Sequence, residues 1–424
     1  MNYPDSVHFL YALGNEIKTA KFGLERIATV LDAIGRPQDR CRFVHVAGTN
    51  GKGSTCSMIE SGLRAAGLRT GLFTSPHLEE PTERIRLDGE PVSAADFATA
   101  FDRIHRVVED LLEAGRIDLH TTYFETVTAM AFDVFARTGR EWVVLETGLG
   151  GRLDATNVVR PELAVITPID YDHEAFLGNA LESIAAEKAG ILKPGVPAVF
   201  ARQRPEAERV LEERAAALGI EVERIAEFAV HDLHLDPRGS TFRLTGPRNL
   251  RIRCPLAGEH QVANALTAAA ALARLGISDA AIESGIARAC WPGRLERISE
   301  HPEIILDGAH NPAGARALAA YIDRFYAARR VRMIYGTMRD KAVDEIGGIL
   351  FSRAQELIAT APRQARALAP EAVRDVAGHP NVHIAPDIAA ALAMVWEAGH
   401  QDAVFVTGSL FLVGEARHLL RGAA

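Results

Sequence analysis

The sequence predicts an α/β protein: an N-terminal P-loop ATPase-like domain with a mostly parallel sheet and a small antiparallel insertion, then a smaller C-terminal Rossmann-like α/β domain. Three observations predict it. An apolar strand, Phe43-Val44-His45-Val46-Ala47, breaks into the glycine-rich Gly48-Thr49-Asn50-Gly51-Lys52-Gly53-Ser54-Thr55 and opens a helix. A second apolar strand, Thr70-Gly71-Leu72-Phe73, follows at once, which makes a βαβ unit with a right-handed crossover. The same alternation of strands and helices resumes at Ile304.

At 424 residues the chain exceeds one ordinary core, so two or three domains are expected; we place the boundary after Trp291–Arg297, giving domains 1–296 and 297–424. A composition of 48% hydrophobic and 24% charged residues is that of a globular protein. The net charge of −8 argues against a nucleic-acid platform or a polybasic membrane binder. Cys41, Cys56, Cys254 and Cys290 lack metal-ligand spacing and read as reduced cytosolic thiols. The opening residues lack a basic start and an apolar stretch, and no segment reaches the ~20 apolar residues of a membrane span. A cytoplasmic protein is expected.

Taken in order, a short amphipathic lead precedes the glycine-rich turn. Gly48, Gly51 and Gly53 let the backbone approach an anion, and the helix from Lys52 to about Ala66 aims unpaired N–H groups at the same point. Lys52 adds a cation, and Ser54 or Thr55 offers Mg²⁺ a hydroxyl. The spacing departs from the Walker pattern, so by itself the segment also fits an ordinary turn. Thr70–Phe73 runs into Thr74-Ser75-Pro76-His77-Leu78 and a polar loop through Glu83-Arg84-Ile85-Arg86 to the turn Asp88-Gly89. Helices are expected over about 94–114 and 123–137. Trp142-Val143-Val144-Leu145 is a strand buried on both faces that ends in Glu146, ahead of Gly148-Leu149-Gly150-Gly151-Arg152-Leu153-Asp154-Ala155-Thr156-Asn157. Leu163–Ile166 leads into Asp170-Tyr171-Asp172-His173, a helix carries Glu187-Lys188-Ala189-Gly190, and a further strand lies near 196–200. In a parallel sheet these polar strand ends share one edge, where such sheets bind ligands.

Alternating segments over about 226–254 read as the antiparallel insertion, and a helix bearing Asn264 follows. In the second series, strands near 304–306, 331–335, 356–360, 382–384 and 404–406 are followed by polar segments that include Asp307-Gly308-Ala309-His310-Asn311-Pro312 and Gly408-Ser409-Leu410. By residue type alone, Glu146 must be paired, exposed or bound to metal. His173 fits a structural or surface residue as well as a ligand, Lys188 reads as a solvated lysine, and Ser75 as a turn cap.

Those segments, with Ser75-Pro76-His77-Leu78 and Thr122-Tyr123-Phe124-Glu125, resemble the folylpolyglutamate synthase and dihydrofolate synthase family of the Mur ligase superfamily over nearly the whole chain, in the same order. The resemblance implies an ATP-dependent amide ligase. A folate-type carboxylate takes the γ-phosphoryl group of ATP, and the amine of L-glutamate captures the acyl phosphate. It assigns ATP to Gly48, Thr49, Asn50, Gly51, Lys52, Gly53, Ser54, Thr55, Asn264, Arg294 and Asp307. Two Mg²⁺ ions fall to Ser75, Glu146 and His173, and Lys188 matches a lysine that the family carries as a carbamate. Lys52, Lys188, His173 and Glu146 are then the catalytic set. Thr122, Tyr123, Phe124, Glu125, Leu153, Asp154 and Ala155 match the pterin region, and Arg84, His310 and Ser409 fit the carboxylates of glutamate. Glu79-Glu80 and Asp170-Tyr171 depart from the family pattern and bear on the substrate subtype.

The partners expected are small molecules, with no nucleic acid, no membrane and a monomeric protein. Competing functions are a cell-wall Mur ligase, a P-loop phosphotransferase or switch ATPase, and a nucleotide-binding module without catalysis. The first expects a UDP-binding domain for which the roughly 40 residues before the loop leave no space. The second leaves Asp307 and His310 without a task.

Overall fold

The computed structural model describes residues 1–13, 23–396, 399 and 401–422. Strands β1 (Arg42–Ala47), β2 (Thr70–Phe73), β3 (Ile85–Leu87), β4 (Glu90–Pro91), β5 (Trp142–Glu146), β6 (Leu163–Ile166), β7 (Ala198–Phe200) and β8 (Val222–Arg224) form one sheet in the order β4-β3-β2-β5-β1-β6-β7-β8. From β2 to β8 every neighbouring pair is parallel. The four strands whose polar ends looked alike in sequence, β2, β5, β1 and β6, are adjacent, so their carboxyl ends do line one edge. All four are buried along almost their whole length, as their continuous apolar character requires. The helices Ala94–Glu113 and Tyr123–Arg137 pack Phe97, Phe101 and Phe132 into a core with Phe43, Val143 and Leu145. The helices Leu181–Ala189 and Pro205–Leu218 close a second core over Ala164, Ile166 and Phe200.

One expectation fails in this sheet. Ile85–Leu87, taken as part of a polar loop, is a strand antiparallel to β2, and it hairpins into β4 through Asp88 and Gly89, both at positive φ. The strand is three residues long with only Ile85 fully buried, too short for alternation to show in the sequence.

Strands β9 (Ala229–Asp236), β10 (Gly239–Thr245) and β11 (Leu250–Cys254) make a separate three-stranded sheet in the order β11-β10-β9. Two residues join β9 to β10, a link that only antiparallel neighbours permit. The third sheet contains β12 (Glu296–Glu300), β13 (Glu303–Leu306), β14 (Arg330–Tyr335), β15 (Glu356–Ala359), β16 (Val382–Ile384) and β17 (Asp402–Thr407), in the order β12-β13-β17-β14-β15-β16. Five of these strands are parallel; β12 is antiparallel to β13 and was not expected. Its sequence, Glu-Arg-Ile-Ser-Glu, is that of a half-exposed edge, held by charge pairs of Glu296 with Arg417 and of Arg297 with Glu303.

The chain divides into two compact units. One comprises Met1–Val230, Leu244–Arg251 and Ala263–Ala289; the other His231–Arg243, Ile252–Val262 and Cys290–Ala424. Among the described residues, no helix is long and apolar enough to cross a membrane.

Candidate functional site

In the first unit, β1 delivers the chain to Gly48, at φ +150°, and Gly51, at φ +81°, caps the Lys52–Ala65 helix. Neither glycine has room for a side chain. A Cβ on Gly48 would lie 1.9 Å from Thr167 Oγ1, and one on Gly51 2.3 Å from Asn264 Oδ1. The loop is fixed from β6's end: the Thr49 and Asn50 N–H groups donate to the Pro168 carbonyl at 2.9 and 3.2 Å, and Thr49 Oγ1 donates to the Asp170 carbonyl at 2.9 Å. Lys52, Gly53 and Ser54 form the first turn of the helix, where N–H groups lack intrahelical acceptors, and the Thr55 N–H is the first to donate within the helix, to the Gly51 carbonyl at 2.9 Å. Thr55 Oγ1 is buried and makes no hydrogen bond among the described residues.

Lys52 Nζ donates to the carbonyls of Gly48 and Thr49, both at 3.2 Å. Lys188 reaches the same Gly48 carbonyl at 2.8 Å from the Leu181–Ala189 helix. It is not a solvated lysine, being only 5% exposed. Burial first, and then the charge of Lys52, push its pKa down to about 7, while Asp172 and Asp154 pull the other way. Near neutrality a large fraction of this side chain is therefore the uncharged amine.

Glu146, 4% exposed at the end of β5, accepts the Ser75 N–H at 3.0 Å, so two of the expected metal ligands are in direct contact. His173 stands at φ +55° at the head of the Glu174–Leu177 turn. Its N–H donates to Asp172 Oδ1 at 2.9 Å and its side chain is 42% exposed.

The Tyr123–Arg137 helix begins in a reciprocal cap: Glu125 N–H donates to Thr122 Oγ1 at 3.2 Å and Thr122 N–H to Glu125 Oε2 at 2.8 Å. Arg26 Nε bridges both Glu125 oxygens at 3.1 and 2.9 Å. Beside them lies a cavity of about 220 Å³ lined by Thr122, Phe124, Glu125, Leu153, Asp154 and Ala155. Six of the seven residues expected in the pterin region thus share one wall. Tyr123 does not line it; its ring stacks on Tyr11 at 5.8 Å and lies under the Arg84 guanidinium. Arg84 is itself buried, donating to His77 Nδ1 at 2.8 Å, and burial next to that cation drives the His77 pKa to about 3. Asp154 organises the glycine loop by accepting the N–H groups of Gly148, Leu149 and Thr156. Burial raises its pKa, against the pull of those donors.

In the second unit, Asp307 follows β13 and accepts the N–H groups of Leu295 and Ala309, both at 3.0 Å. Its burial raises its pKa, opposed first by Arg294. Arg294 Nη1 donates to the Gly293 carbonyl at 3.0 Å, and a Cβ on Gly308 would fall 2.6 Å from that nitrogen. His310 Nδ1 lies 2.8 Å from the Gly308 carbonyl. Ser409, buried after β17, accepts the Phe411 N–H at 3.2 Å, while Gly408 N–H donates to the Ala309 carbonyl. Arg294, Asp307, His310 and Ser409 therefore gather at the carboxyl ends of β13 and β17, which are neighbours.

Comparison with known proteins matches the Mur ligase middle domain to residues 46–272 and the Mur ligase, glutamate ligase domain to residues 293–410. The dihydrofolate synthase/folylpolyglutamate synthase of Bacillus subtilis is 36% identical over 414 residues, which are 95% of this chain and 95% of that one. The chain belongs to the dihydrofolate synthase/folylpolyglutamate synthase family. Solved members of that family share its fold. Mycobacterium tuberculosis folylpolyglutamate synthase complexed with ADP has a TM-score of 0.92 at 34% identity, over 99% of this chain and 98% of that chain. Escherichia coli FolC in complex with DHPP and ADP has a TM-score of 0.89 at 32% identity, over 100% and 98%.

Within the folylpolyglutamate synthase framework, the cavity residues that motif reading missed include two cations, Arg26 and Arg152. Arg152 stood in view in the glycine loop, yet no spacing rule marked it. Arg26 carried no signal, since it lies on an ordinary amphipathic helix, Glu25–Ala33. The acidic departures are absorbed locally: Glu79 and Glu80 donate their N–H groups to Glu83, and Glu80 accepts the Tyr3 hydroxyl.

Proposed function

We propose that the chain is an ATP-dependent ligase that joins L-glutamate to dihydropteroate, to the γ-carboxylate of a reduced folate, or to both, through an acyl phosphate. A carboxylate oxygen of the pterin acid attacks the γ-phosphorus, the bond to the β-phosphate oxygen breaks, and ADP departs. The neutral amine of glutamate then attacks the acyl carbon, phosphate leaves with the C–O electron pair, and the amine proton passes to solvent.

In this reading the N–H groups from Gly51 to Ser54 cradle the phosphates, those of Thr49 and Asn50 hold the loop in place on Pro168, and Lys52 exchanges its loop carbonyls for phosphate oxygens. A buried, unpartnered Thr55 hydroxyl and a buried Glu146 carboxylate fit an ATP–Mg²⁺ site. Ser75, Glu146 and His173 would hold two Mg²⁺ ions, which would supply charge neutralisation at the γ-phosphate. Lys188 as a carbamate replaces a cation next to Lys52 with negative oxygens, and its low pKa supplies the neutral amine on which CO₂ adds. Asn264, Arg294 and Asp307 contact ATP. The cavity at Phe124 takes the pterin, with Tyr123 behind it as packing. Arg84, His310 and Ser409 are assigned to the carboxylates of glutamate. In this assignment residues 1–296 serve ATP and pterin, and 297–424 contribute to ATP and glutamate. We further infer a monomer acting in the cytoplasm, consistent with four cysteines that form no disulfide.

The observation that carries most of this reading is the convergence of six pterin-region residues, from two distant segments, on one cavity. Purified protein with ATP, Mg²⁺ and L-glutamate is expected to release ADP only when dihydropteroate or a reduced folate is also present. Running the two acceptors side by side separates synthase from chain-extension activity. ADP release indifferent to the pterin would move the assignment to an ATPase.

A further inference from the structure

Away from the residues assigned to ATP and Mg²⁺, the helix Ala94–Glu113 presents His105 and Glu109 one turn apart, and His120 faces them from the segment that follows. His105 Nδ1 lies 3.7 Å from Glu109 Oε1, and His120 Nε2 lies 3.6 Å from the same oxygen. No two of the three atoms are further apart than 4.8 Å. These separations are too long for hydrogen bonds. They are close to the edge of a tetrahedron, about 3.3 Å for metal–ligand bonds near 2.0–2.1 Å.

Both imidazole nitrogens are buried and make no hydrogen bond among the described residues. Leaving two such atoms in a protein interior is costly unless something occupies the space between them. The tautomer of His120 is fixed by its other nitrogen. Nδ1 lies 2.9 Å from the Thr121 carbonyl, which can only accept, so Nδ1 carries the proton and Nε2 presents a lone pair toward Glu109. The rings are held by aromatic packing: Phe9 lies 4.6 Å from His105 and 5.7 Å from His120, and Phe101 stacks on His105 at 5.4 Å. Glu109, 47% exposed, leaves an approach for the ion and for a water in a fourth position.

We propose that His105, Glu109 and His120 form a binding site for a borderline divalent cation of the Zn²⁺ type. Two imidazoles and one carboxylate select against Mg²⁺, which prefers oxygen ligands throughout. The ion ties the Ala94–Glu113 helix to His120, two residues ahead of Thr122, and so fixes the entry into the helix that carries Phe124 and Glu125.

Full-length protein stripped with EDTA and dialysed is titrated calorimetrically with Zn²⁺ alone, in excess Mg²⁺, alongside Glu109→Gln and His105→Asn/His120→Asn. The expected result is one Zn²⁺ equivalent in the wild type whose affinity falls more than about tenfold in each variant. Zn²⁺ should also raise the thermal midpoint of the wild type and not of the variants, and Co²⁺ should give the visible absorption of a tetrahedral site only in the wild type. Glu109→Gln alters a half-exposed side chain, so unchanged circular dichroism establishes that the variant is folded. Equal stoichiometry and affinity in the wild type and Glu109→Gln would overturn the site, whatever the ligase activity proves to be.

Discussion

Replacing Lys188 by methionine should make the protein more stable and inactive. In the unfolded chain this lysine titrates near 10.5, and in the folded protein near 7. At pH 7.5, folding must therefore strip a proton that the unfolded chain holds, at a cost of about 4 kcal/mol. Methionine fills the volume without that cost. It loses the bond to the Gly48 carbonyl, worth about 1 kcal/mol, but Lys52 still donates to that oxygen, so no orphan acceptor is left. The net gain expected is about 1–3 kcal/mol. Its sign follows from proton counting: between pH 7 and 10.5 the unfolded chain binds the proton and the folded one does not, so wild-type stability rises with pH. By pH 9.5 the ionisation cost is down to about 1 kcal/mol and the variant's advantage should vanish. The assay is urea denaturation of ligand-free protein in CO₂-free buffer at pH 7.5 and 9.5. Trp142, on β5, reports on the first unit once Trp291 and Trp396 are replaced by phenylalanine in both proteins. A variant no more stable than its parent at pH 7.5, or an advantage unchanged at pH 9.5, would refute the buried neutral amine; retained turnover would refute the carbamate.

Three further outcomes are expected. Gly51→Ala places a Cβ 2.3 Å from Asn264 Oδ1 at φ +81°, so it should cost roughly 1–2 kcal/mol and weaken calorimetric binding of an ATP analogue at least tenfold. Arg26→Ala leaves the buried Glu125 carboxylate without its cation, keeping only the Thr122 N–H, and should lower stability by about 3–5 kcal/mol in urea, most of it recovered in Arg26→Met/Glu125→Gln. Gly148→Ala sets a methyl 2.6 Å from Phe124 Cζ, pushing the ring from its place on the cavity wall; steady-state kinetics should show a raised KM for the pterin acid and an unchanged KM for ATP.

Strand ends were readable because parallel strands buried on both faces leave continuous apolar runs that stop abruptly at polar residues. Val143, Val144 and Leu145 giving way to Glu146 is such a stop, and the structure puts Glu146 against Ser75. The short antiparallel edges were not readable. β3 has one fully buried residue and β12 none, so neither carries a hydrophobic pattern. The burial of Lys188 was likewise hidden, because its own helix gives no cue; it follows from the loop at Gly48 folding over it. Arg26 became visible only through its partner, since a salt link to a helix cap far along the chain leaves no trace in local spacing.

The order of strands also constrains how such a chain is made. β5 lies between β1 and β2, so the two strands flanking the Lys52–Ala65 helix are not each other's neighbours. A nascent polypeptide that has emerged only as far as Arg137 can wind that helix, but it lacks the strip of backbone that would hydrogen-bond both flanking strands. Until Trp142–Glu146 leaves the ribosome, β1 has neither of its sheet neighbours and β2 has only β3, which is the period when sequestration by a chaperone would matter most.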